Sequence, residues 1–403
     1  MLRKSAVALT LALDPGAGAL DTETRQLYRE QFSLTQFMYP SEQASWYWRN
    51  LEQVLPSARI KRAGPCRPLA RALMDPARVH RAPFQGHTLG EWLHGDHPSI
   101  NGLMILQGGK VVFEHYNMPA NTQHVWMSNA KTLAGTLVAL LELEGRIEVT
   151  RPLAHYLPEL TDTAWGPIRV IDVLNMQSGI DAEENDAARA DPDAAITRLF
   201  RTEFGEGGDY AQVLRGIPAK RPPGQAFEYS SANTQILGQL IARVEGRSLS
   251  EVIEARVWSR AGMSADASMT LTPDGYEAVH GLFSSNLEDM ARYALLFTDS
   301  WAATADAPLI PKAVVETLQG SVTPGVYGVS EAAGPFLALT EDRPLGASYQ
   351  FDAVWADGDL FKGGMRGQGI YLSPRRDAVA VWFSNRIEGG NVAGHIRNLM
   401  KTL

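Results

Sequence analysis

Three short constellations in the 403-residue sequence contain residue types capable of nucleophilic chemistry, in a fixed order along the chain. The first is Ser128-Asn129-Ala130-Lys131. A serine needs a neighbouring base to become a nucleophile, and a lysine three residues on lies one helical turn away, so both side chains share a face. At a helix start Ser128 also meets free N–H groups and the positive end of the helix dipole, which stabilise an oxyanion. Chance supplies about half a Ser-x-x-Lys match in a chain of this composition, so the pair carries weight only with companions.

The second constellation follows the rigid turn Arg221-Pro222-Pro223-Gly224, where Phe227-Glu228-Tyr229-Ser230-Ser231 leads into a helical run and so holds Tyr229 on a loop. A tyrosine beside a lysine ammonium can be acidified enough to act as a general base. In isolation the same residue would be a buried tyrosine with one hydrogen bond. The third is Lys362-Gly363-Gly364-Met365, just before a strand-like run. Glycine there lets a backbone N–H approach a bound carbonyl, and the lysine keeps the surroundings electropositive. Without the other two it would be a solvated turn.

Positioning these residues requires a sheet and helices in a definite order. From Gly102, LMILQ and KVVFEHY are two β-rich runs joined by Gly108-Gly109, a two-residue hairpin signal. The Gly-rich turn is no phosphate cradle, because Lys110 is followed by valine and a strand rather than by Ser or Thr and a helix. Ser128 to Glu144 has leucines at helical spacing and ends at Gly145, predicting a long, largely buried helix. Further helical runs (IRVIDVLNM, QILGQLIARVEG, SEVIEARVW) are separated by Pro and Gly loops. NLEDMARYALLF then leads to strands at QGIYLSP and DAVAVWFSN and a terminal helix. Sheet, helical insert and sheet again is the implied order. The expected division is a candidate signal peptide over 1–19, an N-terminal arm over 20–95 with a helix near Trp46 and Trp48, an α/β lobe over 96–150 and 270–403, and a mainly helical lobe over 151–269.

Composition removes several classes of function. The chain is 45% hydrophobic and 20% charged, an ordinary globular mixture, and its net charge of −8 with no basic tract argues against nucleic acid as a partner. A single cysteine, Cys66, can form neither an internal disulfide nor a zinc framework. His94-Gly95-Asp96-His97 lacks the helix that a metal-binding His-Glu-x-x-His requires, so no metal is expected. No apolar run is long enough to span a membrane. Arg3 and Lys4, the apolar stretch Ala6 to Leu13 and the small residues Ala17-Gly18-Ala19 predict a short export signal, hence a periplasmic or secreted protein, with a cytoplasmic one as the alternative. The acidic stretch Asp181, Glu183, Glu184, Asp186, Asp191 and Asp193 is expected to be a solvated loop.

Taken together, Ser128-x-x-Lys131, Tyr229-x-Ser231 and Lys362-Gly363-Gly364 resemble the three motifs of the serine β-lactamase and penicillin-binding-protein family, class C type. The stretches EGRIEVTRPLAHYLPEL, VLNMQSGI, PPGQAFEYSSANTQILG and GLFSSNLEDMARY resemble segments that family carries between its motifs, and Ser231-Ala232-Asn233 after the tyrosine is similar to its nylon-oligomer hydrolase branch. The resemblance implies an α/β fold of the β-lactamase/transpeptidase type: a central antiparallel sheet flanked by helices, with an all-helical insertion. It implies Ser128 as the acylated nucleophile, Lys131 and Tyr229 sharing its proton, and the N–H groups of Ser128 and Met365 as the oxyanion hole. Ser231, Lys362, Gly363 and Gly364 would contact substrate, and the acidic stretch would flank the cleft, where it could meet a substrate ammonium.

Two departures bear on substrate. Ser231 stands where β-lactamases of this type have an asparagine, and Gly363 replaces the threonine whose hydroxyl would meet a β-lactam carboxylate. Both point to the esterase and amidase members. The expected protein is therefore a serine hydrolase working without cofactor, as monomer or homodimer, on a small-molecule ester or linear amide. A class C-type β-lactamase or D-Ala-D-Ala peptidase is the alternative, and a noncatalytic binding domain on the same fold is a second.

Overall fold

The computed structural model of the chain describes residues 20–95, 99–385 and 392–403; the expected signal peptide, and Asp96 and His97 of the histidine pair, lie outside them. An eight-stranded sheet forms the centre. Across it run, in order, Gly346–Ser348, Phe351–Val354, Leu360–Gly364, Gln368–Ser373, Ala378–Ser384, Ile100–Gln107, Lys110–Tyr116 and Ala70–Arg71. Every pairing is antiparallel except that of Ala70–Arg71, which lies parallel to Lys110–Tyr116. The Gly108-Gly109 turn closes the expected hairpin with both glycines at positive φ (56° and 71°), as the tight turn that matches strand twist requires.

Ile100–Gln107 and Ala378–Ser384 are buried almost throughout, so they read as continuous apolar runs rather than as alternating ones. Their pleat nevertheless sorts side chains to two cores. Met104, Leu106, Val379, Val381 and Phe383 pack with the helices Lys131–Leu143 and Leu287–Leu295, whereas Leu103, Ile105, Ala380 and Trp382 pack with the terminal helix Val392–Met400 and with Leu89–His94. Helices on both faces of an antiparallel sheet are the architecture expected from the resemblance.

Between Leu153 and Arg260 the described chain is helices, 3₁₀ turns and loops, carrying Val170–Leu174, Ser231–Glu245 and Leu249–Arg256 at the predicted helical runs. A second, four-stranded sheet joins Ser57–Ile60, Ala267–Thr270, Phe283–Ser285 and His124–Val125. Its strands are two to four residues long, too short for a period-2 signal to rise above noise. The N-terminal arm forms the helices Thr22–Glu30, Leu34–Met38 and Glu42–Arg49, each N-capped by a side chain of Asp21, Ser33 or Ser41. Its Phe37, Tyr47 and Trp48 pack on Met127 and Leu282, so the arm ends up against the turn that holds Ser128. Among the described residues no helix is long and apolar enough to cross a membrane.

Candidate active site

Ser128 lies in a 3₁₀ turn, Met127–Ala130, from which the α-helix Lys131–Leu143 continues. The α-helix thus begins one turn later than the leucine spacing predicts, and its first residue is Lys131. The preceding Met127 sits at φ 51°, a left-handed conformation that side chains adopt only when their surroundings hold them there. That kink comes directly before the candidate nucleophile. Gly135 lets the helix lie against the Tyr349 backbone, since a Cβ there would come 2.0 Å from the Tyr349 carbonyl oxygen.

The buried Lys131 Nζ donates to Ser128 Oγ at 3.0 Å, to Ser231 Oγ at 2.9 Å and to the His280 carbonyl at 2.7 Å. Three acceptors saturate an ammonium, yet burial dominates and lowers its pKa to about 7, a shift that the carboxylate of Glu184 opposes and the charge of Lys362 adds to. At that value a substantial fraction is neutral near pH 7, which is what a base for Ser128 requires. Because only the neutral amine can accept a proton, kcat/KM for an ester should climb as Lys131 loses its proton, with a midpoint near pH 7 and a plateau above it. A stopped-time pH profile on p-nitrophenyl butyrate checks this; a flat profile between pH 5 and 8 would remove Lys131 as the base.

Tyr229 meets the second lysine rather than the first. Its hydroxyl accepts from Lys362 Nζ at 2.9 Å, and its ring lies 4.5 Å from Lys362 Nζ and 5.2 Å from Lys131 Nζ. The expected acidification of this tyrosine does not occur. Burial raises the phenol well above its ordinary value, the carboxylates of Asp352 and Glu184 raise it further, and a hydrogen bond with Ser128 opposes them only in part. Lys362 cannot reverse this, because Asp352 Oδ1 takes its charge in a buried ion pair at 2.5 Å. Tyr229 is therefore held as the neutral phenol.

Lys362, Gly363 and Gly364 close the strand Leu360–Gly364, not a solvated turn, and Lys362 is fully buried. The Gly363 N–H donates to Asp352 Oδ2 at 2.9 Å, so one carboxylate holds both the lysine and the strand end. At Gly364 a Cβ would lie 3.0 Å from both Asn129 Nδ2 and Met127 Cβ, which brings the strand end directly against the Ser128 turn. Met365 opens the following tight turn, Met365–Gly367. The tertiary structure thus brings together Ser128, Lys131, Tyr229, Ser231, Lys362, Gly363, Gly364 and Met365. All but the two buried lysines line one cleft of about 920 Å³, walled on one side by Phe37, Met38, Phe204 and Leu282.

Three contributors escape sequence reasoning. Asp352 sits on the strand next to Lys362. His280 supplies a backbone carbonyl, which no side-chain motif can announce, and its ring is held 2.9 Å from Glu203. Glu184 belongs to the acidic stretch read as a solvated loop, yet its side chain is only 9% exposed and accepts the Ser231 N–H at 2.6 Å. Glu183 likewise pairs with Lys220 at 3.1 Å. The solvated-loop expectation fails at these two positions because Glu184 N–H bonds the Tyr229 carbonyl and draws the loop onto the site. Among the described residues no group of three or more His, Cys, Asp or Glu side chains is arranged to hold a metal ion.

A serine hydroxyl joined to a buried, partly neutral lysine, at the edge of an antiparallel sheet covered by helices on both faces, defines a serine hydrolase of the β-lactamase fold. The chain belongs to the beta-lactamase family, whose model matches residues 94–401. It is similar to the 6-aminohexanoate-dimer hydrolase of Paenarthrobacter ureafaciens, with 28% identity over 349 residues that cover 84% of this chain and 85% of the relative. A solved Bacillus anthracis structure described as a candidate 6-aminohexanoate-dimer hydrolase superposes with a TM-score of 0.74 at 19% identity, covering 92% of this chain and 96% of that one. EstCE1, described as a hydrolase with promiscuous acyltransferase activity, superposes at 0.55 and 16% identity over 75% of this chain and 93% of its own. At these identities the two structures speak for the fold alone.

Proposed function

We propose that this protein hydrolyses small esters and linear amides through an acyl-enzyme on Ser128. The observation that carries the reading is the 3.0 Å contact between Ser128 Oγ and an amine whose pKa is lowered to about 7. Neutral Lys131 takes the Ser128 proton as Oγ attacks the carbonyl carbon, and the oxyanion gathers N–H donors from Ser128 and Met365. As the bond from the acyl carbon to the leaving amine or alcohol breaks, that group takes its proton from the Tyr229 phenol, and the proton held on the Lys131 ammonium returns to the phenolate. A water then attacks the acyl carbon, Lys131 accepting its proton; the bond from the acyl carbon to Ser128 Oγ breaks, Oγ takes the proton back from Lys131, and the carboxylic acid product departs. The apolar cleft wall and the 6-aminohexanoate-dimer hydrolase named among the relatives both support an acyl chain of aliphatic character.

Preference against β-lactams is expected from the two missing polar partners, the hydroxyl absent at Gly363 and the amide absent at Ser231. Losing a hydrogen-bond partner costs on the order of 1–3 kcal/mol each in discrimination. The nearest neighbours of a Cβ at Gly363 would be the Phe361 ring at 3.3 Å and Asp352 Oδ2 at 3.5 Å, so a threonine can be introduced there with small shifts. On one enzyme preparation kcat/KM for p-nitrophenyl butyrate should exceed that for nitrocefin, and Gly363→Thr should move the ratio toward nitrocefin. Nitrocefin turning over tenfold faster, about 1.4 kcal/mol in transition-state binding, would instead identify a β-lactamase.

A further inference from the structure

The helical part of the molecule carries a second groove, of about 430 Å³, that shares no lining residue with the cleft of Ser128. Five charged side chains line it, and their pairing is uneven. Arg243 meets Glu159 at 2.7 Å and Arg247 meets Glu245 at 3.0 Å. Arg215 and Glu277 are left over: among the described residues neither has an oppositely charged partner within 4 Å, and they do not reach each other. The Arg215 Nε and the Gln239 Nε2, also in the groove, are buried donors with no acceptor among the described residues. Among the described residues the Glu277 carboxylate accepts from the Ser250 N–H and hydroxyl alone, at 3.2 and 3.1 Å.

A buried donor without an acceptor is costly unless something fills it, and Arg215 Nε and Gln239 Nε2 are two such donors. Here the unfilled cation and the unfilled anion stand apart in one concavity whose remaining walls include Leu157, Ala242 and Leu249. We infer that this groove binds a small zwitterionic amino acid, its carboxylate on Arg215 and Gln239 and its ammonium on Glu277. An anion alone would leave Glu277 unanswered, and a cation alone would leave Arg215 so; only a ligand with both charges satisfies the pair. The groove also touches the active site from behind, because Gln235 lines it while its side chain bridges the Glu277 carbonyl at 3.1 Å and the His280 N–H at 3.1 Å.

Calorimetric titration of the full chain with glycine, 4-aminobutanoate and 6-aminohexanoate, and with butanoate and butylamine as single-charge probes, tests the assignment. At least one amino acid should bind saturably, with both single-charge probes weaker by about tenfold or more. Arg215→Gln and Glu277→Gln should each weaken the amino acid by a similar factor while p-nitrophenyl butyrate turnover is retained. Glu277→Gln keeps an oxygen for Ser250 and carries the test should the arginine variant not fold. No binding by any amino acid, equal binding of butanoate, or affinity unchanged in both variants would overturn the inference, the last by putting the ligand in the Ser128 cleft.

Discussion

Ser128→Ala should leave at most a residual rate several thousand-fold below that of the unaltered enzyme, the size of loss seen when a nucleophile is removed and binding and oxyanion stabilisation persist. The expectation follows from geometry: Ser128 Oγ faces the cleft and the Lys131 amine, as Ser231 Oγ also does, but Ser128 alone of the two sits on the turn whose Met127 is held at φ 51°. Intact-mass spectrometry after exposure to a fluorophosphonate should find one adduct, and peptide mapping should place it on Ser128. In Ser128→Ala the adduct should vanish. An adduct on another residue, or turnover within tenfold of the original, would assign the chemistry elsewhere. The variant removes one hydroxyl from an interior amine that keeps Ser231 and the His280 carbonyl, so little loss of stability should accompany it.

Lys131→Ala should lower kcat/KM for the same ester by about 10³-fold or more, within the range that a positioned general base contributes. Tyr229→Phe should cost about 10²-fold, because it removes the leaving-group proton but spares the base. The double variant should be little worse than Lys131→Ala, since a proton donor has nothing to complete once the attack fails. Losses that multiply fully would show two independent roles. Melting temperature and circular dichroism belong beside the kinetics, because Lys131→Ala leaves the buried His280 carbonyl without its donor, at a cost of about 1–3 kcal/mol. Removing an amine that burial has already driven toward neutrality offsets part of that cost.

The catalytic core was legible because its spacing is local. Ser128 and Lys131 share a helical face through a three-residue offset, and Gly363-Gly364 permits a close approach that a Cβ at 364 would block. The long strands were legible for the same reason: Gln368–Ser373 and Ala378–Ser384 are six and seven residues of apolar and β-branched sequence. Asp352 was not. It lies ten residues before Lys362, inside a run with no distinctive pattern, and becomes its partner only when the two strands pair. Glu184 was misread because an acidic run usually faces water, and nothing in its composition announces that its backbone will bond Tyr229.

By themselves the residues determined the order sheet, helical insert, sheet and the order of the three motifs, which depend on periodicity and short offsets that survive without knowing what packs on what. The resemblance of those motifs implied the fold type and made Ser128 and Lys131 the candidate nucleophile and amine. The tertiary structure alone decided how each group is charged. Burial lowers Lys131 toward neutrality, and burial together with Asp352 and Glu184 raises Tyr229, the reverse of the acidified tyrosine expected from a neighbouring ammonium, and the proposed roles of lysine as base and tyrosine as donor rest on those directions. The physical reason is that a pKa sums desolvation and every nearby charge over a few ångströms of space, and the charges that matter here arrive from segments far apart in the chain: 128–131, 184, 229 and 352–362.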